Sequence, residues 1–202
     1  MKGSKMENLI TKPTELSLRL LREYISEGDT VIDATAGNGY DTLALARLAG
    51  RSGKVYGFDV QETAIENTKA LLEREGFSDT CELIRCSHHL MKTAVSERYH
   101  GKISAVVFNL GYLPGGDKGK TTGAGTTLPA VRQALELIRP DGIVSITMYG
   151  GHPEGSAEKE ELLRFAKELP QREYHSVFLS LINQQNRPPE LLLLTRKPEK
   201  KS

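Results

Sequence analysis

The chain has 202 residues, of which 38% are hydrophobic and 26% charged, and its formal net charge is +1. This length favours a single domain, residues 1–202, and the near-neutral charge excludes a strongly basic nucleic-acid coat while leaving room for a local basic patch that binds a small piece of RNA. No apolar run approaches the ~20 residues of a membrane span, and the N-terminus lacks the apolar centre of a signal peptide, so we expect a cytoplasmic protein without a membrane partner.

Hydrophobic periodicity and turn residues predict alternating helices and strands in the first half of the chain. The first helix begins at Pro13, carries a stripe of leucines and ends before Gly28. The short apolar runs that follow predict strands, and the segments between them have helical spacing. In chain order we predict strand 30–33, helix 40–49, strand 55–59, helix 61–75, strand 81–85 and a short helix within 87–99.

The second half continues this alternation until its end. The clearest buried strand covers 103–109, and a long glycine-rich loop, 110–125, leads to a helix for which Thr126 or Thr127 is the predicted N-cap. That helix is predicted to end at residue 138. The remaining predicted elements are strand 143–148, helix 157–169, and strands 174–181 and 191–196. No helix separates the last two strands, which predicts a hairpin. The pattern indicates an α/β fold: a mostly parallel seven-stranded sheet with an antiparallel edge hairpin and helices on both faces.

A small-residue turn follows the first strand, where residues 33–41 read Asp-Ala-Thr-Ala-Gly-Asn-Gly-Tyr-Asp. Strand, glycine loop and helix together present backbone N–H groups and a helix N-terminus to a nucleotide-type cofactor. Asp59 ends the second strand about twenty residues later, where a carboxylate accepts hydrogen bonds from both ribose hydroxyls. A solvated acid at a strand end is the alternative for Asp59.

Two cofactors compete for this loop. A dinucleotide site has the pattern G-x-G-x-x-G, but Thr42 stands at the third glycine position after Gly37 and Gly39. Asp33, four residues before Gly37, instead suits the [D/E]-x-G-x-G-x-G loop of methyltransferases, in which an acid accepts from the cationic amino group of S-adenosylmethionine. The terminal hairpin also suits a class I methyltransferase sheet. The sequence therefore favours S-adenosylmethionine and leaves an NAD-dependent dehydrogenase as the last alternative.

Four more polar residues are candidates for the same cofactor. Asn38 lies in the turn, either in a left-handed conformation or against the methionine end. Gln61 either caps the following helix or touches the cofactor. Ser87 and His88 close the third strand, where class I enzymes contact the adenine.

The two cysteines, Cys81 and Cys86, flank one predicted strand and form no CxxC pair. This spacing predicts neither a disulfide nor a zinc site. The histidines also lack the spacing of metal ligands, and we expect no metal.

Further motifs stand after later strands: 109–118 (Asn-Leu-Gly-Tyr-Leu-Pro-Gly-Gly-Asp-Lys), 149–153 (Tyr-Gly-Gly-His-Pro) and 183–189 (Asn-Gln-Gln-Asn-Arg-Pro-Pro). Together with the glycine loop, Asp59-Val60-Gln61 and Ser87-His88, they resemble the YtqB/MnmM family, bacterial proteins long described as rRNA methylases. The resemblance runs from about residue 13 to 197. It implies a class I methyltransferase fold and methyl transfer from S-adenosylmethionine to the amine of 5-aminomethyl-2-thiouridine at the tRNA wobble position. Thr35 stands at the first glycine of the general methyltransferase loop and adds a side chain near the methionine end.

The resemblance also implies how the acceptor amine is held. Residues 109–112 look like a variant of the Asn-Pro-Pro-Tyr motif of amino methyltransferases. The side-chain oxygen of Asn109 and the carbonyl of Leu110 would accept the amine's hydrogens and aim its lone pair, and Tyr112 would stack on the uracil ring. Asn109 is also a candidate for contacting the cofactor. A strand-end cap is the alternative for Asn109, and a plain loop aromatic for Tyr112.

Loop residues near the expected site entrance are candidates for binding the tRNA anticodon stem-loop: Lys118, His152, Asn186 and Arg187. Basic side chains there would hold phosphates, although a solvated charge is the alternative. Asp117 and His152 are alternative groups for taking the amine's proton. The competing functions are methylation of rRNA or of a small-molecule amine, or cofactor binding by an RNA module without turnover. A homodimer remains an alternative to a monomer.

Overall fold

The computed structural model describes residues 12–111, 124–149, 153–185 and 188–198. Its strands are β1 Thr30–Asp33, β2 Lys54–Asp59, β3 Cys81–Arg85, β4 Ile103–Leu110, β5 Ile138–Met148, β6 Tyr174–Leu179 and β7 Glu190–Arg196. They form one seven-stranded sheet in the order β3-β2-β1-β4-β5-β7-β6.

Helices connect these strands. They are α1 Pro13–Leu21, α2 Tyr40–Ala49, α3 Glu62–Glu75, α4 Met91–Ala94, α5 Ala124–Leu137 and α6 Pro153–Glu168, with single 3₁₀ turns at Ser78–Thr80, His88–Leu90 and Glu97–Tyr99. None of the helices in the described ranges is long and apolar enough to cross a membrane.

The sheet confirms the predicted α/β fold. Strands β1 to β5 pair in parallel, whereas β7 pairs antiparallel with both β5 and β6. The antiparallel strand is therefore one position in from the edge, and β6 is the edge strand. The strand order reverses between β1 and β4, so the connections that follow these two strands lead in opposite directions and leave a crevice in which such sheets bind ligands.

Several predicted boundaries are wrong; α6, for example, begins at Pro153 and not at 157, and β6 ends at Leu179 and not at 181. Helix α1 ends at Leu21, well before Gly28, and the chain continues in turns. Helix α5 begins at Ala124, so Thr126 and Thr127 lie inside it and neither is an N-cap. The side chain of Thr127 is fully buried, which shows that packing against the sheet overrides the capping preference of threonine. Strand β5 begins at Ile138, earlier than predicted.

Both faces of the sheet bury an apolar layer. Because side chains alternate along a strand, Val31 packs with Leu21 of α1 and Leu45 of α2, while its neighbour Ile32 joins Phe108 and the residues of α5 on the opposite face. The central strands β1 and β4 are buried on both faces, whereas the edge strand β6 is largely exposed. The loops that follow β1 and β4 therefore start from buried strand ends.

Candidate functional site

The loop between β1 and α2 crosses the carboxyl edge of the sheet, and two glycines define its path. Gly37 has φ 54° and Gly39 has φ 83°, both in the left-handed region. A Cβ atom at Gly39 would lie 2.9 Å from the Cα of Thr68 in α3. Only glycine fits there, and its absence of a side chain lets the loop lie directly on α3.

Asn38 does not have the left-handed conformation that was one of its two alternatives, since Asp141 is the one non-glycine residue with positive φ in the described ranges. Its side-chain oxygen accepts a hydrogen bond of 3.1 Å from the amide of Asn67. Asn38 therefore ties the loop to the exposed side of α3.

Asp59 joins the ends of two neighbouring strands. Its Oδ2 accepts the N–H of Gly37 at 3.0 Å, and its Oδ1 accepts the N–H of Gln61 at 2.9 Å. Each carboxylate oxygen keeps a further lone pair, so this partly exposed side chain can still accept two ligand hydroxyls. Gln61 occupies the N-cap position of α3, but its side chain makes no capping hydrogen bond.

Asp33 is placed differently from the expectation that it contacts the cofactor's amino group. The side chain is completely buried under the loop. Its Oδ2 accepts the hydroxyl of Thr42 at 2.6 Å, and its Oδ1 accepts the N–H of Thr35 at 3.0 Å. Thr42, which stands at the third glycine position of the dinucleotide pattern, thus donates its hydroxyl to the Asp33 carboxylate. Asp33 therefore stabilises the loop from its buried side.

Burial and the nearby charge of Asp41 raise the pKa of Asp33 from 3.8 to about 7. The folded protein therefore holds a proton that the unfolded chain releases, and the stability this provides is lost as the pH rises from about 4 to about 7. We expect the free energy of unfolding of the wild type to fall with pH across this window, by at most about 1.4 kcal/mol per pH unit. In Asp33→Asn this pH-dependent contribution should be absent. Urea titrations at a series of pH values measure it. The exposed Asp79→Asn variant is the control, and identical pH profiles for wild type and Asp33→Asn would contradict the assignment.

Asn109, near the end of β4, lies against the same loop. Its backbone N–H donates to the hydroxyl of Thr35 at 2.7 Å, and its Nδ2 donates to Oδ2 of Asp41 at 3.2 Å. Its Oδ1 is buried and has no hydrogen-bond partner among the described residues. The side chain bonds a carboxylate, lies close to the hydroxyl of Tyr149 and bonds no backbone group, so it does not cap the strand. Asn109 therefore holds a buried acceptor atom with free lone pairs near the carboxyl end of β4.

The residues around Asn109 complete this wall of the crevice. Leu110 ends β4 opposite Met148 with its side chain buried, so its backbone carbonyl is the group it can offer. A Cβ atom at Gly111 would lie 3.5 Å from the ring of Tyr149, which follows β5. Burial and the charge of Asp41 raise the pKa of Tyr149, so its hydroxyl stays protonated at neutral pH.

The structure adds Asp41 and Tyr149 to the candidate site, because both lie against Asn109, and no sequence motif gave either of them a role. Asp41 stands in the first turn of α2, where an acid is also explained by the helix dipole. The helix dipole thus accounts for an acid at this position, and nothing in the sequence indicates the hydrogen bond between Asp41 and Asn109, which is 68 positions away. Tyr149 belongs to the 149–153 motif, which predicted a functional segment there but gave no role to Tyr149 itself.

Ser87 and His88 follow β3 as predicted, but His88 is buried. Its Nδ1 lies 3.2 Å from the carbonyl oxygen of Ala34, and its ring meets Phe108 edge to face at 5.6 Å. Burial lowers the pKa of His88 to about 4, so the ring is neutral and Nδ1 carries the hydrogen that Ala34 accepts. His88 supports the end of β1 from below. Its ring is not openly exposed, but its buried Nε2 has no hydrogen-bond partner among the described residues, and the predicted adenine contact stays a prediction.

Val60 is a further surface candidate beside the ribose position. It directly follows Asp59 and is 48% exposed. Such a side chain can cover the face of an adenine ring.

The remaining predicted site residues lie outside the described residues, and their roles stay predictions: Tyr112, Asp117, Lys118, His152, Asn186 and Arg187. Within the described part of the chain, no three His, Cys, Asp or Glu side chains are grouped as metal ligands. Cys81 is a free thiol, and burial raises its pKa to about 12.

Comparison with known proteins gives consistent matches. The family model described as "Putative rRNA methylase" matches residues 55–195. The chloroplastic tRNA (mnm(5)s(2)U34)-methyltransferase of Arabidopsis thaliana is 36% identical in an alignment of 193 positions that covers 92% of this chain and 70% of the relative.

Solved structures agree with these matches. A crystal structure described as a putative rRNA-methylase from Clostridium thermocellum superimposes with a TM-score of 0.87 at 38% identity, covering 91% of this chain and 97% of the other. A putative methyltransferase from Streptococcus mutans, solved in complex with SAH, has a TM-score of 0.82 at 37% identity, with 92% and 98% covered. The expected methyltransferase fold is confirmed.

Proposed function

Because this chain belongs to the family described as "Putative rRNA methylase", we propose that it methylates the amine of 5-aminomethyl-2-thiouridine at the wobble position of tRNA, giving 5-methylaminomethyl-2-thiouridine. The chain is an S-adenosylmethionine-dependent methyltransferase. The observation that carries the choice of an amine acceptor is the buried, unpaired Oδ1 of Asn109. The tRNA substrate is supported by the Arabidopsis relative.

Three features of the crevice fit S-adenosylmethionine. The side-chain-free backbone at Gly39 lets the loop lie directly on α3, which fixes the path of the loop that would bind the cofactor. Asp59 keeps lone pairs for two ribose hydroxyls, and Val60 offers an apolar surface beside it. Asp59 also gives this side of the crevice a negative charge that complements a cationic ligand. When bound, this cofactor supplies an electrophilic methyl group on a cationic sulfur.

The chain's own residues act on the acceptor amine. Oδ1 of Asn109 and the carbonyl of Leu110 accept two of its hydrogens, which leaves the nitrogen lone pair aimed out of the crevice wall. Such acceptors are already oriented by the protein and need no reorganisation during the reaction. Tyr149 keeps its hydroxyl protonated and is therefore not the base.

Deprotonation is the step that the amine needs before transfer. An alkylamine with a pKa of ~10 is neutral in about one molecule in a thousand at neutral pH, which adds about 4 kcal/mol to the barrier. A water-poor site next to a cation lowers that pKa. Asp117 and His152 are our candidates for the base, and both belong to segments outside the described residues.

The rest of the proposal concerns the RNA. Tyr112 would stack on the uracil ring. Lys118 and Arg187 would bind anticodon phosphates, and His152 and Asn186 would line the entrance. We further propose one domain for residues 1–202 and a cytoplasmic location, with a homodimer as the alternative to a monomer.

Asp59→Ala is expected to raise the Kd for S-adenosylmethionine at least tenfold, since hydrogen bonds to a charged group contribute roughly 1.5–3 kcal/mol each. The variant also loses the two backbone contacts that join Gly37 and Gln61. Isothermal titration calorimetry measures the affinity, with the exposed Asp79→Ala as a control. An unchanged affinity would refute the ribose role. Binding of NAD without S-adenosylmethionine would refute the cofactor.

Nucleoside mass spectrometry tests the substrate. Purified protein and S-adenosylmethionine are incubated with tRNA that carries 5-aminomethyl-2-thiouridine, and the digest should contain 5-methylaminomethyl-2-thiouridine. tRNA from cells that lack the protein should accumulate the unmethylated nucleoside. Methylation of rRNA instead, the activity that the family description names, would replace the tRNA proposal with the second candidate.

A further inference from the structure

The side-chain amide of asparagine has nearly the same shape in either orientation, although one end accepts hydrogen bonds and the other donates. An asparagine that must accept from a substrate therefore needs a neighbour that decides which end faces outward. If Asn109 turned by half a rotation, its N–H groups would face the amine's own hydrogens. The aiming function would then be lost without any change in shape.

The surroundings of Asn109 restrict this choice. Its backbone N–H is held by the hydroxyl of Thr35 at 2.7 Å, so the residue cannot shift along the strand. Its Nδ2 lies 3.2 Å from Oδ2 of Asp41 in α2. An ionised carboxylate accepts hydrogen bonds and donates none. The reversed amide would place Oδ1 against this carboxylate. The hydroxyl of Tyr149 also lies close to the Asn109 side chain, but a hydroxyl both donates and accepts and therefore does not select an orientation.

We propose that Asp41 is a positioning residue, which orients the Asn109 amide so that its oxygen faces the acceptor amine. This inference rests on the proposed function, because it assumes that an amine is the group to be aimed. Asp41 acts through Asn109 and touches neither substrate nor reacting atoms. It links the helix that follows the glycine loop to the strand end that carries the acceptor site, so one contact couples the two halves of the crevice.

Asp41→Asn tests the proposal because it keeps the shape and removes the acceptor-only character. An amide at position 41 can donate to Oδ1 of Asn109 and so stabilises the reversed orientation. We expect kcat on tRNA to fall about tenfold or more, with the Kd for S-adenosylmethionine and the KM for tRNA each within about threefold of wild type. Asp79→Asn carries the same chemical change at an exposed position and should retain wild-type kinetics.

The pH dependence separates positioning from a base role. If Asp41 took the amine's proton, the defect of Asp41→Asn would shrink as the amine deprotonates in solution at higher pH. For a positioning residue, the ratio of wild-type to variant kcat stays constant between about pH 7 and 9. A ratio that approaches unity at the upper end would overturn the proposal in favour of general-base catalysis.

Side-chain amide NMR provides a readout that requires no turnover. The Asn109 amide signal is identified by its disappearance in Asn109→Ala. It should shift in Asp41→Asn and stay in place in Asp79→Asn; an unmoved signal, or full kcat in Asp41→Asn, would refute the contact's role. If Asp41→Asn does not fold, Asp41→Ser carries the same measurements. A wild-type protein that does not methylate tRNA would refute the proposed function alone, because the NMR comparison still decides the Asp41–Asn109 pairing.

Discussion

Replacing Asn109 with alanine (Asn109→Ala) is expected to lower kcat about a hundredfold, because it removes a preoriented acceptor that aims the amine. The cofactor site would keep its other contacts, since Asp59 and the glycine loop do not depend on the Asn109 side chain. The Kd for S-adenosylmethionine should therefore stay within about threefold of wild type. Single-turnover kinetics on modified tRNA, with calorimetry of cofactor binding, separates the two effects.

Gln171→Ala is the matched control for this prediction. Gln171 is an exposed amide that precedes β6, remote from the carboxyl ends of β1 and β4. Intact turnover of Asn109→Ala would show that Asn109 does not aim the amine. A large loss of cofactor affinity with normal turnover at saturation would instead assign Asn109 to the cofactor site, the second role that the sequence suggested for it.

Replacing Gly39 with alanine (Gly39→Ala) is expected to disrupt both stability and cofactor binding. The added Cβ would lie 2.9 Å from the Cα of Thr68, a backbone atom that cannot rotate away, and φ 83° is itself unfavourable for alanine. The left-handed conformation alone costs roughly 1–2 kcal/mol, and the collision adds to it. We expect the free energy of unfolding to fall by about 2–4 kcal/mol and the Kd for S-adenosylmethionine to rise more than tenfold.

Gly101→Ala separates the two causes. Gly101 also has a left-handed backbone, with φ 71°, but a Cβ atom there would meet nothing within 4 Å. The free energy of unfolding of this variant should fall only by the cost of the left-handed conformation, about 1 kcal/mol. It should bind the cofactor normally. Urea unfolding compares the variants, and calorimetry measures the affinities. Equal destabilisation of both variants would show that the contact between Gly39 and α3 is not restrictive.

Most of the fold could be predicted because its determinants are local. Strands β1 and β3 and helix α2 have the bounds expected from short apolar runs and helical spacing. The missing helix before β7 predicted the hairpin. The errors occur where tertiary packing outweighs a local preference, as at the buried Thr127, which lies inside α5 instead of capping it.

The candidate site could be located from sequence, but the tasks of its polar residues could not be assigned. Asp33 stands where methyltransferases carry a ligand-binding acid, yet it is buried because Thr42 supplies a hydroxyl that bonds it. His88 similarly supports the end of β1. Sequence position places a side chain near an edge of the sheet. Whether it faces the crevice or the core depends on which neighbours satisfy its hydrogen bonds.

The sequence by itself determined the order of the elements, the glycine loop and the residues at the strand ends, since these depend on periodicity, turn chemistry and spacing along the chain. Only the tertiary structure decided that Thr35 and Asp41 both hold Asn109, because these contacts join residues 74 and 68 positions apart. The strand order brings β1 and β4 side by side, so a loop and a strand end from distant parts of the chain form one wall. Hydrogen bonding across that junction leaves the oxygen of Asn109 without a partner among the described residues, and the proposed chemistry depends on that oxygen.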